Sequence, residues 1–376
     1  MLREKRLRKN LDWVLAGAVY ALLAISLPVL ASATQAPAKG DFSLVQRQAV
    51  FIVVGSICAL AAMLVNYEDL MRFSRFIYGF NLALLGAVLV VGKVQLGAQR
   101  WIQIGPFPLQ PSETAKICVI ITLAAALSQR EEGLNRWSDM IPTFLHILPP
   151  MVLVLKQPDL GTSLVFLAIA LAMLLVAGAP PGKVGALTVG GLATACGAVF
   201  AHFRYGIPLP LKDYQLKRLI VFINPDVDPL RAGYQIKQSI IAIGSGRLLG
   251  KGLFAGTQNQ LRFLPFQHTD FIFPVIGEEL GFIGGTAVLL LYYIVIWRGL
   301  RIAATARDRF GSLIATGVTA MIAFHILVNV GMTLGVMPVT GIPLPFMSYG
   351  GSSLITNMVG IGLLLNVHLR RQKIQF

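Results

Sequence analysis

The chain has 376 residues, 55% of them hydrophobic and only 13% charged, with a mean hydropathy of +0.70 and a net charge of +15. Soluble domains carry about 25% charged residues, so this composition excludes a water-soluble globular enzyme. Three single cysteines (Cys58, Cys118, Cys196) and five scattered histidines supply no disulfide or metal spacing. No Walker loop, dinucleotide fingerprint or internal repeat points to an ATP-driven machine.

Apolar runs of roughly the 20 residues that cross a bilayer recur at 13–32, 48–65, 76–92, 111–128, 141–156, 160–178, 184–203, 271–297, 310–334 and 348–367. Spanning segments must satisfy their own backbone hydrogen bonds. The expected fold is therefore all-α, a polytopic integral membrane protein of about ten transmembrane helices forming a single domain, 1–376. The first run is too long, and followed by too many others, to be a cleavable signal. Placing both termini in the cytoplasm gives the inner side 17 basic residues, among them Arg3, Lys5, Arg6, Arg8, Lys9, Arg72, Arg75 and Lys373, against 5 in the short outer segments (Lys39, Arg47, Lys93, Arg100, Lys156). That asymmetry satisfies the positive-inside rule.

In the fourth run Pro111 suits a first helical turn, and Glu113 and Lys116 are three apart on one helix face. They read either as a helix-fixing ion pair or as the lining of a polar cavity. Lys156 and Asp159 flank a break at KQPDLGTS, where Pro158 interrupts the helix and Asp159 suits an N-cap.

Residues 204–270 form the long hydrophilic connection, expected outside. Arg204, Lys212, Lys217, Arg218, Arg231, Lys237, Arg247, Lys251 and Arg262 outnumber Asp213, Asp226, Asp228 and Asp270, nine against four. The excess suits anionic lipid headgroups or a phosphate or diphosphate. A short amphipathic helix is predicted over 232–243, followed by Gly244, Gly246, Gly250, Gly252 and Gly256. Such glycines form turns, or let backbone N–H groups cradle an anion. The connection ends in FLPFQHTDFIF (263–273), where Asp270 meets a new apolar run as a helix cap or as an acid–base group. Glu278 and Glu279 follow beside Gly277 and Gly281, whose spacing permits close packing. The last connection, 337–353, holds three prolines and three glycines and is expected to wall an outer cavity, with Asn329 and Thr333 adding polar contacts.

The ordered motifs RWIQIGPFPLQPSETAK, KQPDLGTS, INPDVDPLRAGYQ, SGRLLGKGLFAGTQNQLRFLPFQHTDFIF, GEELGF and PLPFMSYGGSS resemble the SEDS (shape, elongation, division, sporulation) family, the RodA/FtsW class of peptidoglycan glycosyltransferases. The likeness runs along nearly the whole chain and favours the elongation branch, RodA, over FtsW. It implies Asp270 as the essential carboxylate and Glu113 with Lys116 as a cavity pair. The other candidate substrate contacts are Lys156, Asp159, Arg218, Lys237, Lys251, Arg262, His268 and Ser348. Phe266 departs from a position often acidic in relatives, and Thr114 from one often bulky and apolar.

The resemblance further implies polymerisation of lipid II on the outer face of the bacterial cytoplasmic membrane, with undecaprenyl diphosphate leaving. No cofactor is required, although a divalent cation, Mg2+ or Mn2+, would suit the diphosphate. Expected partners are a class B penicillin-binding protein (a transpeptidase) and elongation-complex shape proteins, with no nucleic acid. Rival functions are a lipid II flippase and a scaffold.

Overall fold

The structure, a computed structural model, describes residues 11–35, 40–95, 98–105, 107–130, 133–208, 213–229 and 232–371. Arg3, Lys5, Arg6, Arg8, Lys9, Lys39, Lys212, Arg231 and Lys373, counted above as loop charges, lie outside the described residues.

The main helices are α1 (Trp13–Ala33), α2 (Ser43–Leu64), α3 (Tyr67–Arg72), α4 (Ser74–Val91), α5 (Pro111–Ser128), α6 (Trp137–Lys156), α7 (Leu160–Val176) and α8 (Pro181–Tyr205). The long connection contributes α9 (Asp213–Ile223), α10 (Ala232–Ser245) and α11 (Thr257–Gln260). The chain ends in α12 (Ile272–Ala304), α13 (Arg309–Thr333) and α14 (Gly351–Leu369). Among the described residues nine helices are long and apolar enough to cross a membrane, and α7 is equally apolar but only 17 residues long. These ten match the predicted runs one for one.

Local chemistry sets several helix starts. Asp12 accepts from Leu15 N–H at 3.0 Å to cap α1 and pairs with Arg298. Pro111 opens α5, and Asp308 accepts from Gly311 N–H at 2.8 Å to cap α13. Packing then sorts the helices into layers. In α5, α13 and α14 between 72% and 78% of the spanning window is buried, against 6% in α8, so the first three form the centre and α8 the rim.

Because successive spanning helices alternate in direction, one end of the bundle carries only short connections, and the long 92–110, 206–271 and 334–350 connections gather at the other with the brief 157–159 break among them. One element there was not foreseen. Residues 93–109 form a small antiparallel sheet, β1 (Lys93–Gln95), β2 (Ala98–Ile104) and β3 (Phe107–Leu109), in the order β1-β2-β3. Its register pairs Lys93 with Trp101 and Ile102 with Leu109. The sheet fills the link between α4 and α5 and carries Arg100 to the break between α6 and α7.

A second departure from regular helix occurs inside α12. Gly281 has φ 66° and ψ −165°, so the helix breaks there. The glycine-rich segment after α10 repairs the break. Lys251 and Gly252 N–H donate to the Glu278 and Glu279 carbonyls at 3.0 and 2.9 Å, while Phe282 and Ile283 N–H donate to the Arg247 and Leu248 carbonyls at 2.8 and 3.1 Å. A Cβ on Gly246 would lie 1.9 Å from the Gly277 carbonyl oxygen, and one on Gly250 would lie 2.2 Å from that of Glu279. These glycines therefore serve backbone-to-backbone packing. They do not form the anion cradle that the sequence allowed, because the Lys251 and Gly252 N–H groups are bonded to helix carbonyls.

Candidate active site

Asp270 sits in the turn that leads into α12. That turn is held by Thr269 and Phe271 N–H donating to the Phe266 carbonyl at 3.1 and 3.2 Å. The N-cap position of α12 is Phe271, with no side-chain cap hydrogen bond, so Asp270 does not cap the helix. Its carboxylate accepts no hydrogen bond among the described residues and is half-buried, still in reach of solvent. The backbone beneath it is fixed instead. Asn329 Nδ2, on α13, donates to the Asp270 carbonyl at 2.9 Å and to the Ile342 carbonyl at 2.7 Å.

The 334–350 connection covers one side of this carboxylate. Gly341 lies against it: a Cβ there would stand in ordinary contact, 3.5 Å, with Asp270 Oδ2, and the left-handed backbone (φ 78°) is what calls for glycine. Ser348 clasps the two segments: its hydroxyl donates to the Thr269 carbonyl at 2.6 Å and accepts from Leu344 N–H at 2.8 Å. The His268 carbonyl accepts from Tyr349 N–H at 2.9 Å. Two bulky residues here, Phe266 (φ 56°) and Phe346 (φ 65°), occupy left-handed backbone. Such strain costs on the order of 1–3 kcal/mol per residue and concentrates at functional sites.

The electrostatics come from three sources. Arg218, on α9, donates to the Thr340 carbonyl at 3.0 Å. Arg100, on β2, donates through Nε to the Gln157 carbonyl at 2.8 Å and through its terminal nitrogen to the Pro158 carbonyl. Asp159 caps α7 by accepting from Thr162 N–H at 3.2 Å and Thr162 Oγ1 at 3.0 Å, with Gln110 and Ser112 each at 3.4 Å. Burial pushes the Asp270 carboxyl up to about 6; Arg218 and Arg100 pull it back, and Asp159 pushes it further up.

The remaining predicted residues fall elsewhere. Glu113 and Lys116 form a buried pair at 2.8 Å, and Lys116 Nζ also meets His325 Nε2 at 3.0 Å, making a triad between α5 and α13. Lys251 is paired with Glu278 at 2.7 Å, below the helix break. Lys237 pairs with Asp226 at the surface, Arg262 Nε reaches Gln35 Oε1 at 3.3 Å, and Lys156 is exposed beside the 157–159 break. The structure therefore brings Asp159, Arg218, His268 and Ser348 to Asp270, and leaves Lys237, Lys251 and Arg262 in other contacts. Sequence reasoning missed Arg100 as a neighbour of Asp270 and His325 as the third member of the buried triad. The hint for Arg100 was a cation in an alternating RWIQI stretch, a strand signal.

Among the described residues no group of three His, Cys, Asp or Glu is arranged to hold a metal ion. What the geometry defines is an integral membrane protein that presents a carboxylate without a hydrogen-bond donor among the described residues, near two tethered guanidiniums, where its long connections converge. The family described as cell cycle protein, FtsW/RodA/SpoVE, matches residues 10–373, and the chain belongs to it. It is 39% identical to stage V sporulation protein E of Bacillus subtilis over 95% of this chain and 96% of that one. It is 37% identical to peptidoglycan glycosyltransferase MrdB of Escherichia coli K12, over 96% and 95%. A solved structure of a peptidoglycan synthase complex that coordinates polymerization and crosslinking superposes with a TM-score of 0.80 at 34% identity, covering 96% of this chain and 98% of that one. The Thermus thermophilus rod shape determining protein RodA does so with 0.71 at 32%, covering 96% and 98%.

Proposed function

We propose that the chain is a peptidoglycan glycosyltransferase in which Asp270 is the general base for polymerising lipid II during elongation and shape maintenance. The observation that carries the reading is a half-buried carboxylate with no hydrogen bond of its own and a carboxyl raised to about 6. A base poised near ambient pH is what general catalysis of a weak hydroxyl nucleophile requires. The sugar 4-hydroxyl oxygen attacks the anomeric carbon, its proton passes to Asp270, and the carbon–oxygen bond to undecaprenyl diphosphate breaks with its electrons going to the diphosphate. Arg100 and Arg218 are placed to balance that charge. A single carboxylate supports a direct, inverting displacement, and Asp159 is engaged in capping α7. A divalent cation would be held chiefly by the diphosphate, with Asp270 and Asp159 as its acidic neighbours.

The basic residues of the short-connection end favour an inner-membrane orientation with Asp270 on the outer face. A class B penicillin-binding protein is the expected crosslinking partner, with shape proteins in the same assembly. A flippase would place its polar groups near the midplane, whereas the ring around Asp270 is built from connections between helices. The deciding experiment supplies purified lipid II to the wild type and to Asp270→Asn, both confirmed folded. Loss of polymer is expected, and wild-type product from the variant would remove Asp270 from the mechanism.

A further inference from the structure

A cavity of about 740 Å³ opens at the short-connection end, across the bundle from Asp270, between α3, α4, α5 and α6. Arg72 and Arg75 line its mouth; both are exposed, and neither is hydrogen-bonded or ion-paired among the described residues. The acidic group in the lining, Glu68, faces Arg307 at 3.6 Å. Thr122 lies seven residues before Gln129 of the mouth, about 10 Å deeper at the helical rise. There Thr122 Oγ1 meets His146 Nε2 at 2.9 Å, and Tyr78 donates to the His146 carbonyl at 2.9 Å with the two rings 4.4 Å apart. In the tautomer that accepts from Thr122 at Nε2, Nδ1 carries the proton. His146 lines the cavity, and its Nδ1 makes no hydrogen bond among the described residues. Ala126, also in the lining, keeps the α5 wall low.

The cavity thus offers two guanidiniums at the membrane boundary and a polar ring nitrogen about 10 Å deeper, a donor when Thr122 gives its proton to Nε2 and an acceptor when Thr122 gives it to the Val119 carbonyl at 3.3 Å. None of these groups takes part in the reaction at Asp270, and polar groups within a membrane bundle generally mark a function. We propose that this cavity binds the headgroup of an anionic glycerolipid. The phosphodiester lies on Arg72 and Arg75, whose planar forks match phosphate oxygens. A polar group of the glycerol unit, an ester carbonyl or a hydroxyl, pairs with His146 Nδ1. The acyl chains leave along the lipid side of α4, where Phe76 and Phe80 are 73% and 56% exposed. The volume is in the range of small-molecule sites, about 300–1,000 Å³. The assignment is independent of the role of Asp270; the orientation proposed above only puts the lipid in the cytoplasmic leaflet.

The test uses the full chain in nanodiscs of phosphatidylcholine doped with phosphatidylglycerol, released into detergent and weighed intact by native mass spectrometry. Wild type should retain phosphatidylglycerol over phosphatidylcholine. The R72Q/R75Q double variant should lose about tenfold to thirtyfold of that preference, two cations each contributing about a factor of five near a membrane surface. Ala126→Phe, which fills the cavity and keeps both charges, provides a second reading should the double variant fail to fold. Equal retention of the two lipids by wild type, or unchanged preference in a folded variant, overturns the proposal. So does displacement of phosphatidylglycerol by millimolar inorganic phosphate, which would make the ligand a free anion.

Discussion

Two carboxylates only eight residues apart, Asp270 and Glu278, lie in opposite states. Glu278 is fully buried and saturated: Lys251 at 2.7 Å, Thr257 Oγ1 at 3.1 Å and the N–H groups of Gln258 and Asn259 at 3.0 and 3.3 Å all donate to it. Asp270 has cations nearby, but Arg218 and Arg100 are tied to backbone carbonyls, and nothing among the described residues donates to its oxygens. A carboxylate surrounded by donors holds structure together. One that is desolvated, charge-balanced at a distance and left without donors is available to take a proton. Local sequence does not show which of the two is saturated, since the donors to Glu278 come from residues 251–259, distant in the chain.

The comparison is broken most strongly by exchanging oxygen for nitrogen at each acid. Asp270→Asn should lower the polymerisation rate by about 10²–10⁴-fold, the range of a lost general base. Its thermal midpoint should not fall, because no cap or hydrogen bond is removed, and near neutral pH it should rise as a desolvated charge is taken away. A large fall in stability would return Asp270 to a structural role. At the other acid the signs reverse. Lys251→Met leaves Glu278 buried without its cation and should destabilise the fold by about 3 kcal/mol, with turnover per folded molecule retained. Adding Glu278→Gln should recover much of that loss in a thermal melt. Gly246→Ala, which drives a methyl into the Gly277 carbonyl, belongs to the same structural class and should reduce folded yield.

The pH response sharpens the contrast. With its carboxyl raised to about 6, Asp270 is protonated and inactive below that pH, so kcat/KM should climb through about pH 6 to a plateau. Arg218→Gln removes a cation that lowers the group, so the acidic limb should move to higher pH. The linkage to stability has the opposite slope from a salt-bridged carboxylate. The unfolded chain ionises this acid near 3.8 and the folded one only near 6, so its contribution to stability falls as pH rises between those values. An unmoved limb in Arg218→Gln would show that the titrating group is not Asp270.

Much of the fold was legible because lipid permits few backbone solutions. Run length alone located ten helices, and Pro111 marked the start of α5 to the residue. The amphipathic pattern at 232–243 located α10 (Ala232–Ser245) within the long connection. What escaped were features set by tertiary contact. The break at Gly281 reads in sequence as one more small residue in a long apolar run; only the incoming 247–252 segment supplies the hydrogen bonds that make it affordable. The 93–109 sheet is too short to stand out from neighbouring spans. Lys251 looked like a candidate anion ligand because Glu278, 27 residues away, was invisible as its partner. Asp270 was legible as a boundary carboxylate, but whether it capped a helix or stayed open depended on Phe271 taking the cap position.

The smallest effect expected is at Ser348, and it tests how the open state of Asp270 is maintained. Its hydroxyl ties Leu344 to Thr269, the residue immediately before the acid. Ser348→Ala removes both bonds and leaves one buried N–H and one carbonyl to find other partners, a cost of about 1–3 kcal/mol. Since the hydroxyl touches the turn and not the carboxylate, the acidic limb near pH 6 should stay where it is while kcat falls a few-fold through loosened geometry. Asn329 fastens the same turn from α13 through the Asp270 carbonyl, so the clasp is doubled and neither bond alone decides the position of the base. A Ser348→Ala limb shifted as far as that of Arg218→Gln would mean that the hydroxyl sets the charge of the base as well as its place.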